Sequence, residues 1–141
     1  MSAMRFTGYA ALFDVRDRGG DVIRAGAFAD AAAPLPLLWQ HDPARRIGAV
    51  STVREDARGL MVSATIDTVN PIARQAAQLL ADGAVTGLSF GYRVKSAHAG
   101  PMGRGGAPTR VLTAIDLVEV SLVSSPMQPD ARVMRLTPEG V

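Results

Sequence analysis

The residues best suited to do chemistry are a serine, a histidine and a glutamate that lie far apart in the chain. Ser89 lies in a strand-like run, GLSFGYRV, with a glycine two places to either side. Alternate side chains of a strand share one face, so Gly87, Ser89 and Gly91 would line one face and Leu88 and Phe90 a buried one. Glycine in a strand often marks the close approach of another backbone. The pattern therefore predicts either a peptidase nucleophile beside an extended substrate or an ordinary glycine-flanked edge strand.

A serine nucleophile needs a base at neutral pH, and the chain has only two histidines. His41 lies where the apolar run LLW turns polar in QHDP, at a strand end beside a loop, from which it can reach a cleft. His98 lies in a glycine-rich stretch that does not fix its position. Taken alone, His41 is more often a surface residue or the cap of a turn, so its role depends on the other groups.

The third candidate is Glu119, a carboxylate in the middle of an apolar strand, DLVEVSLVS. Burying an unpaired charge is costly, so Glu119 must have a partner. A histidine partner would make it the carboxylate that orients a catalytic imidazole. With 14 arginines in the chain, a structural salt bridge is the alternative. Asp116, at the start of the strand, and Asp42, next to His41, are weaker candidates for the orienting role.

The elements that would position these groups are mostly short strands separated by turn signals, which is typical of a compact β-rich barrel with one or two helices. Residues 47–66 read as a β-hairpin around the polar turn REDARG. The clearest helix is NPIARQAAQLLADG, which Asn70 can cap, which has Pro71 in its first turn, and which ends before Gly83. AGAFADAAA favours one or two helical turns because alanine is a strong helix former.

Composition limits the function classes. The 141 residues are expected to form one domain over 1–141, with a net charge of +2 and no cysteine. Two isolated histidines give no metal site, and no phosphate-binding loop or other cofactor motif is present. The arginines are scattered and form no basic stripe, which argues against nucleic acid as a partner. No apolar run is long enough to span a membrane, and the N-terminus predicts no signal peptide.

Four separated stretches, taken in order, resemble the prohead maturation proteases of tailed bacteriophages. They are DxxGDVIRAGAF, LLWQHD followed by IGAV, GLSFGYRV, and DLVEVSLVSSPMQPDA, and together they cover nearly the whole chain. That family is similar in fold to the herpesvirus assembly proteases, a mainly β, α+β single domain with a β-barrel and flanking helices. The resemblance implies a serine endopeptidase with Ser89 as nucleophile, His41 as base and Glu119 as the third member. Backbone N–H groups of residues 96–109 are expected, from position alone, to supply the oxyanion hole.

The resemblance also implies a biological setting. Such proteases are enclosed in an assembling procapsid in the bacterial cytoplasm, remove scaffold segments from the major capsid protein, and then degrade themselves. The major capsid protein is therefore the expected substrate, and a homodimer is expected by analogy with the herpesvirus enzymes. An Arg- and Ala-rich composition is as consistent with a gene transfer agent as with a free phage. The alternative is a non-catalytic barrel acting as a scaffold or capsid-assembly module, which would have no need for Ser89, His41 and Glu119 together.

Overall fold

The computed structural model describes residues 3–68, 70–106 and 109–138, and within these ranges the chain forms eight β-strands and one α-helix. The strands are β1 (Ala3–Leu12), β2 (Asp21–Ile23), β3 (Leu35–Trp39), β4 (Asp42–Glu55), β5 (Gly59–Asp67), β6 (Gly87–Ala99), β7 (Arg110–Val123) and β8 (Val133–Pro138), and the helix is α1 (Pro71–Ala81). A short 3₁₀ turn lies at Arg104–Gly106. Among the described residues, no helix is long and apolar enough to cross a membrane.

All eight strands belong to one sheet that is organised around β7. The antiparallel partner β6 runs along one edge of β7, while β2 and β3 pair in parallel with the two ends of its other edge. From β3 the order continues through β4, β5 and β1 to β8. The two outer strands, β6 and β8, approach each other at an isolated bridge between Gly87 and Arg132. The sheet therefore curves like a barrel without a continuous closing ladder, and the predicted fold class is confirmed.

Local sequence signals explain the β4–β5 hairpin and α1. The Asp56 carboxylate accepts hydrogen bonds from the backbone of Arg58 and Gly59, which fixes the tight turn between the two strands. Asn70 caps α1 by accepting a hydrogen bond from Ile72 N at 2.8 Å. The helix buries an alanine-rich face with Leu80 against the core. The predictions of this hairpin and this helix are both confirmed.

Three details differ from the sequence-based expectations. AGAFADAAA forms a series of tight turns, with hydrogen bonds such as Ala29 N to Gly26 O, and not a helix. Gly26 has a φ of +94°, which a right-handed helix excludes. His98 lies on β6 and not in the loop, because β6 continues to Ala99 in pairing with β7. The last strand, β8, was not predicted at all.

Candidate active site

The turn that carries His41 is a two-residue hairpin between β3 and β4. Trp39 and Asp42 face each other across it, and both intervening residues have positive φ, +53° at Gln40 and +62° at His41. This is the backbone of a type I′ turn, which normally carries Asn-Gly or Gly-Gly. Left-handed conformations are strained for residues with a Cβ and persist where surrounding contacts impose them. The turn therefore marks a position where the fold holds a histidine against its local preference.

Contacts from the end of β7 hold this turn in place. Gln40 N donates a hydrogen bond to Leu122 O at 3.0 Å. The Gln40 side chain donates to the hydroxyl of Ser124 and accepts a hydrogen bond from its backbone N–H. His41 N donates to Ser121 Oγ at 3.2 Å. The turn that carries His41 is thus held by residues at the end of β7, about eighty residues away in the chain.

Glu119 lies on β7 directly behind the imidazole. His41 Nδ1 is 2.6 Å from Glu119 Oε1, and Ser121 Oγ donates to Glu119 Oε2, also at 2.6 Å. A carboxylate oxygen accepts, so the Nδ1–H is the donor and Nε2 is the nitrogen left for another group. No arginine pairs with Glu119 among the described residues. Of the two alternatives that the sequence left open for Glu119, the structure therefore shows the histidine pair.

Ser89 lies on the same face of the sheet as this pair. Ser89 is opposite Ser121 and Gly91 is opposite Glu119 in the β6–β7 register. Directly opposed residues in antiparallel strands share a face, with Cβ atoms about 5 Å apart. The Ser89 residue is 5% exposed, whereas the His41 side chain is 42% exposed. No hydrogen bond joins the Ser89 hydroxyl to the His41 ring in the described part of the chain, and in unliganded sites such contacts are often long.

The glycines around Ser89 make room for this chain's own side chains. A Cβ on Gly91 would lie 2.6 Å from Glu119 Oε1, and one on Gly87 would lie 2.8 Å from Pro126 Cδ. Both distances are shorter than any real carbon contact. The prediction that these glycines clear a path for a substrate strand is therefore wrong, because the space above them is already filled. Gly91 is instead required by the buried position of the Glu119 carboxylate.

A small cavity of about 90 Å³ borders Ser89, and Asp17 lies in its wall. Burial raises the pKa of the Asp17 carboxyl, and the hydrogen bonds that this carboxylate accepts from the backbone N–H groups of Asp21 and Gly19 oppose the rise. The remaining lining consists mainly of apolar and amide side chains: Ala10, Leu88, Phe90, Tyr92, Met127 and Gln128. None of the described residues in the range 96–109 lines this cavity. The assignment of the oxyanion hole to that range therefore finds no support.

Among the described residues, the weaker candidates form no hydrogen bond or ion pair with the side chains of His41 and Glu119. Asp42 forms an ion pair with Arg45 at 3.3 Å and accepts a hydrogen bond from Ala44 N. Asp116 is exposed and faces Arg93 across β6 and β7. His98 is exposed, and its Nδ1 lies 3.0 Å from the carbonyl oxygen of Ala99. In the ranges that the structure describes, no group of His, Asp and Glu side chains could hold a metal ion.

Sequence reasoning missed Ser121 and the left-handed turn. Ser121 lies two residues after Glu119, so the two-residue period of a strand places both side chains on one face. That spacing is the signal that would have identified Ser121 as a partner of the carboxylate. The turn gives no comparable signal, because Gln-His is not a sequence that favours positive φ.

A second charged cluster lies at the opposite end of β7. Arg110 donates from Nε and Nη2 to the two carboxylate oxygens of Asp21, each at 2.9 Å, and Tyr92 donates to Asp21 Oδ2 at 2.8 Å. The Arg110 hydrogen bonds hold the pKa of Asp21 below its usual range. Burial, together with the hydrogen bond to Asp21, raises the pKa of the Tyr92 phenol. Asp21, the last residue of the motif DxxGD, thus connects β2 to β6 and β7.

The face of the sheet that bears Ser89 also carries the His41–Glu119 pair, and comparison with known proteins gives the family. The sequence profile described as Caudovirus prohead serine protease matches residues 1–139. The chain belongs to this family. The predicted family, the prohead maturation proteases, is confirmed. A search among characterised protein sequences gives no significant match.

Solved structures of a herpesvirus protease have a similar fold. The protease of Kaposi's sarcoma-associated herpesvirus with a hexapeptide phosphonate inhibitor has a TM-score of 0.61 at 12% identity, covering 99% of this chain and 66% of that one. The same virus's protease with a dimer disruptor has a TM-score of 0.55 at 13% identity, covering 94% and 75%. At such identities the likeness concerns the fold alone. The chain spans just under two thirds of the length of the first of these proteases.

Proposed function

We propose that the chain hydrolyses peptide bonds with Ser89 as nucleophile, His41 as general base and Glu119 as the carboxylate that orients His41. The observation that carries this proposal is the 2.6 Å contact between His41 Nδ1 and Glu119 Oε1 on the face of the sheet that also bears Ser89. A carboxylate bonded to Nδ1 fixes the tautomer in which Nε2 is a base. The strained turn at His41 adds support, since strain of this kind clusters at functional sites.

The chemistry follows from this arrangement. His41 Nε2 takes the proton of the Ser89 hydroxyl as Oγ attacks the scissile carbonyl carbon. Glu119 stabilises the imidazolium that forms. The imidazolium then gives its proton to the leaving amine, and an acyl-enzyme remains on Ser89. Water, activated by the same imidazole, releases the acid and restores the serine.

An extended peptide is the form of substrate that the surroundings of Ser89 favour. The face above Gly87 and Gly91 is filled, but β6 has an open outer edge. Beyond the bridge at Gly87, no strand of the described residues pairs with that edge. A peptide that added there as a strand would be held by backbone hydrogen bonds next to Ser89.

The biological substrate that we propose is the scaffold segment of the major capsid protein, followed by the protease itself. The family description, a prohead protease, supports this choice. The reaction would take place inside the assembling procapsid in the bacterial host cytoplasm. A free phage and a gene transfer agent would both provide this setting, and the origin stays a prediction.

We also propose that the active form is a homodimer. The support is analogy, since one herpesvirus protease of similar fold was solved in complex with a dimer disruptor. Light scattering coupled to size-exclusion chromatography measures the molar mass directly. A mass of twice 14.8 kDa is expected, and a monomer that is fully active would contradict the dimer proposal.

The test of the proposed function is co-expression with the major capsid protein of the same particle, followed by intact-mass measurement of both products. The wild-type protease is expected to shorten the capsid protein at a defined site and to cleave itself. Ser89→Ala is expected to abolish both events with the fold intact, as judged by thermal unfolding. His41→Ala is expected to be as severe, because members of such a triad act as a unit.

The matched control is His98→Ala, which changes the other histidine on the exposed part of β6. We expect His98→Ala to cleave at the wild-type rate. A capsid protein that is still shortened by Ser89→Ala would contradict the assignment of the nucleophile. A folded wild-type protein that leaves the capsid precursor intact would favour the non-catalytic scaffold alternative.

A further inference from the structure

Ser121 is the one group that touches both the base and the carboxylate of the proposed triad, within the described residues. Its hydroxyl accepts a hydrogen bond from His41 N at 3.2 Å and donates to Glu119 Oε2 at 2.6 Å. The residue is fully buried, with 0% exposure. A hydroxyl has one donor and two acceptor sites, so both contacts can form at the same time.

The two contacts constrain different parts of the site. The contact with His41 N holds the backbone of a residue whose φ of +62° is unfavourable for a side chain with a Cβ. The contact with Oε2 fixes the rotation of the Glu119 carboxylate, so that Oε1 faces Nδ1. Without this hydroxyl, the His41 backbone N–H loses its acceptor, and the Glu119 carboxylate loses the hydrogen bond that fixes its rotation.

Gly91 limits the position of the carboxylate through close packing. The carboxylate lies against Gly91, where even a methyl group would be too close. Glu119 is therefore enclosed between Gly91 on β6, the imidazole, and the Ser121 hydroxyl. Of these three neighbours, only the last two form hydrogen bonds with the carboxylate.

We propose that Ser121 is a positioning residue, whose hydroxyl holds the His41 backbone and the Glu119 carboxylate in the mutual geometry that activates Ser89. This inference rests on the proposed function, since it acts through His41 and Glu119. Ser121 does not itself touch the reacting atoms. Its effect is on the rate of the chemical step and not on the affinity for a substrate.

The experiment measures the reaction of Ser89 with a fluorophosphonate, a small probe that does not depend on the peptide sequence. In this reaction Ser89 Oγ forms a bond to phosphorus, fluoride leaves, and the serine proton passes to His41. The inactivation rate constant is measured on full-length protein and divided by the folded fraction from thermal unfolding. The variants are Ser121→Ala, Ser121→Cys and Ser121→Thr, together with Ser89→Ala.

Ser121→Ala is expected to lower the rate per folded molecule by about 10- to 100-fold, the loss that a small misplacement of catalytic groups produces. Ser121→Cys keeps most of the volume but has a weak donor, so it is expected to stay low. Ser121→Thr keeps the hydroxyl and is expected to recover most of the rate. The dependence of the inactivation rate on probe concentration gives a maximal rate constant and a half-saturating probe concentration. We expect the loss in the maximal rate constant alone, with the half-saturating concentration unchanged.

The control for stability is Ile66→Val, a buried change on β5, a strand that pairs with β1 and β4. A wild-type rate in Ser121→Ala would overturn the inference. The inference would also be overturned if Ile66→Val, at the same loss of stability, lowered the rate per folded molecule as much as Ser121→Ala does. Ser121 would then act only on folding. If Ser89→Ala reacts as fast as wild type, the proposed function itself fails, and that result is distinguishable from the others.

Discussion

At each end of β7 a buried carboxylate lies beside a basic side chain, and the two basic side chains differ in kind. Near its start, Asp21 meets the guanidinium of Arg110 and the phenol of Tyr92. Near its end, Glu119 meets the imidazole of His41 and the hydroxyl of Ser121. Arginine stays charged throughout the physiological pH range, whereas an imidazole gains and loses a proton near neutral pH.

Under the proposed function, this difference separates a structural ion pair from a catalytic one. Arg110 binds Asp21 through a two-point contact that no step of a reaction needs to break. His41 is bonded to its carboxylate through one nitrogen, and the other nitrogen is free to exchange a proton with a neighbour. A buried acid with a permanent cation stabilises a fold, while a buried acid with an imidazole can support proton transfer.

The largest effect is expected from Glu119→Gln, which keeps the shape of the side chain but removes its charge. Removing the corresponding carboxylate from a serine protease can lower turnover by ~10⁴-fold. We expect a fall of this order in capsid cleavage with little loss of stability. The measurement is the cleavage rate per folded molecule, and a destabilised variant that cleaves normally would make Glu119 a structural residue.

A smaller loss is expected from Gly91→Ala, because the new Cβ would displace the Glu119 carboxylate from beside Nδ1. Misplacement on this scale can cost about 100-fold in rate. The rate is measured in the same cleavage assay, with the double variant Gly91→Ala/Glu119→Gln as control. Both changes act through one carboxylate, so their effects should not add. If the losses of the two single variants add in the double variant, Gly91 acts through a group other than the Glu119 carboxylate.

At the other end of β7, Asp21→Asn is expected to affect stability and not catalysis. The change weakens hydrogen bonds from Arg110 and Tyr92, and a hydrogen bond to a charged group contributes about 1.5–3 kcal/mol. Partial exposure of Arg110 places the expected loss near the lower end of that range. Urea unfolding measures the loss. A stable Asp21→Asn protein that fails to cleave would contradict the purely structural role of the Asp21–Arg110 pair.

The smallest effect is a pH dependence of stability that comes from Asp21. Its pKa in the folded protein is lowered, so its stabilising contribution is present above the unfolded pKa of about 3.9. That contribution is lost as the pH falls through the folded pKa. The difference in Tm between wild type and Asp21→Asn should therefore be largest near pH 7 and shrink below about pH 4. A difference that grows on acidification would contradict this account.

Much of the fold was predictable because local signals agree with the final structure. Asn70, Pro71 and Gly83 bound the helix, and the polar turn near Asp56 defines the central hairpin. AGAFADAAA misled because alanine favours a helix, whereas Gly26 breaks the segment into turns. The last strand, β8, has no strong alternation of its own and exists through pairing with β1.

The residue types of the candidate site could be proposed from the sequence, but its geometry could not. Ser89, His41 and Glu119 stand out because each is a polar group in an apolar strand or at its end. The left-handed turn at His41 could not be read from Gln-His, since it is imposed by β7 contacts distant in sequence. The role of Gly91 was misassigned because a missing side chain indicates close approach without indicating which group approaches.

The most direct test of the central claim is peptide mapping by mass spectrometry after brief exposure to a fluorophosphonate. We predict a single adduct on Ser89 in wild type and in Asp21→Asn, formed much more slowly in Glu119→Gln and absent in Ser89→Ala. This pattern would show that the His41 end of β7 activates the serine and that the Arg110 end does not. An adduct on another serine, or equal labelling of Glu119→Gln and wild type, would contradict the account.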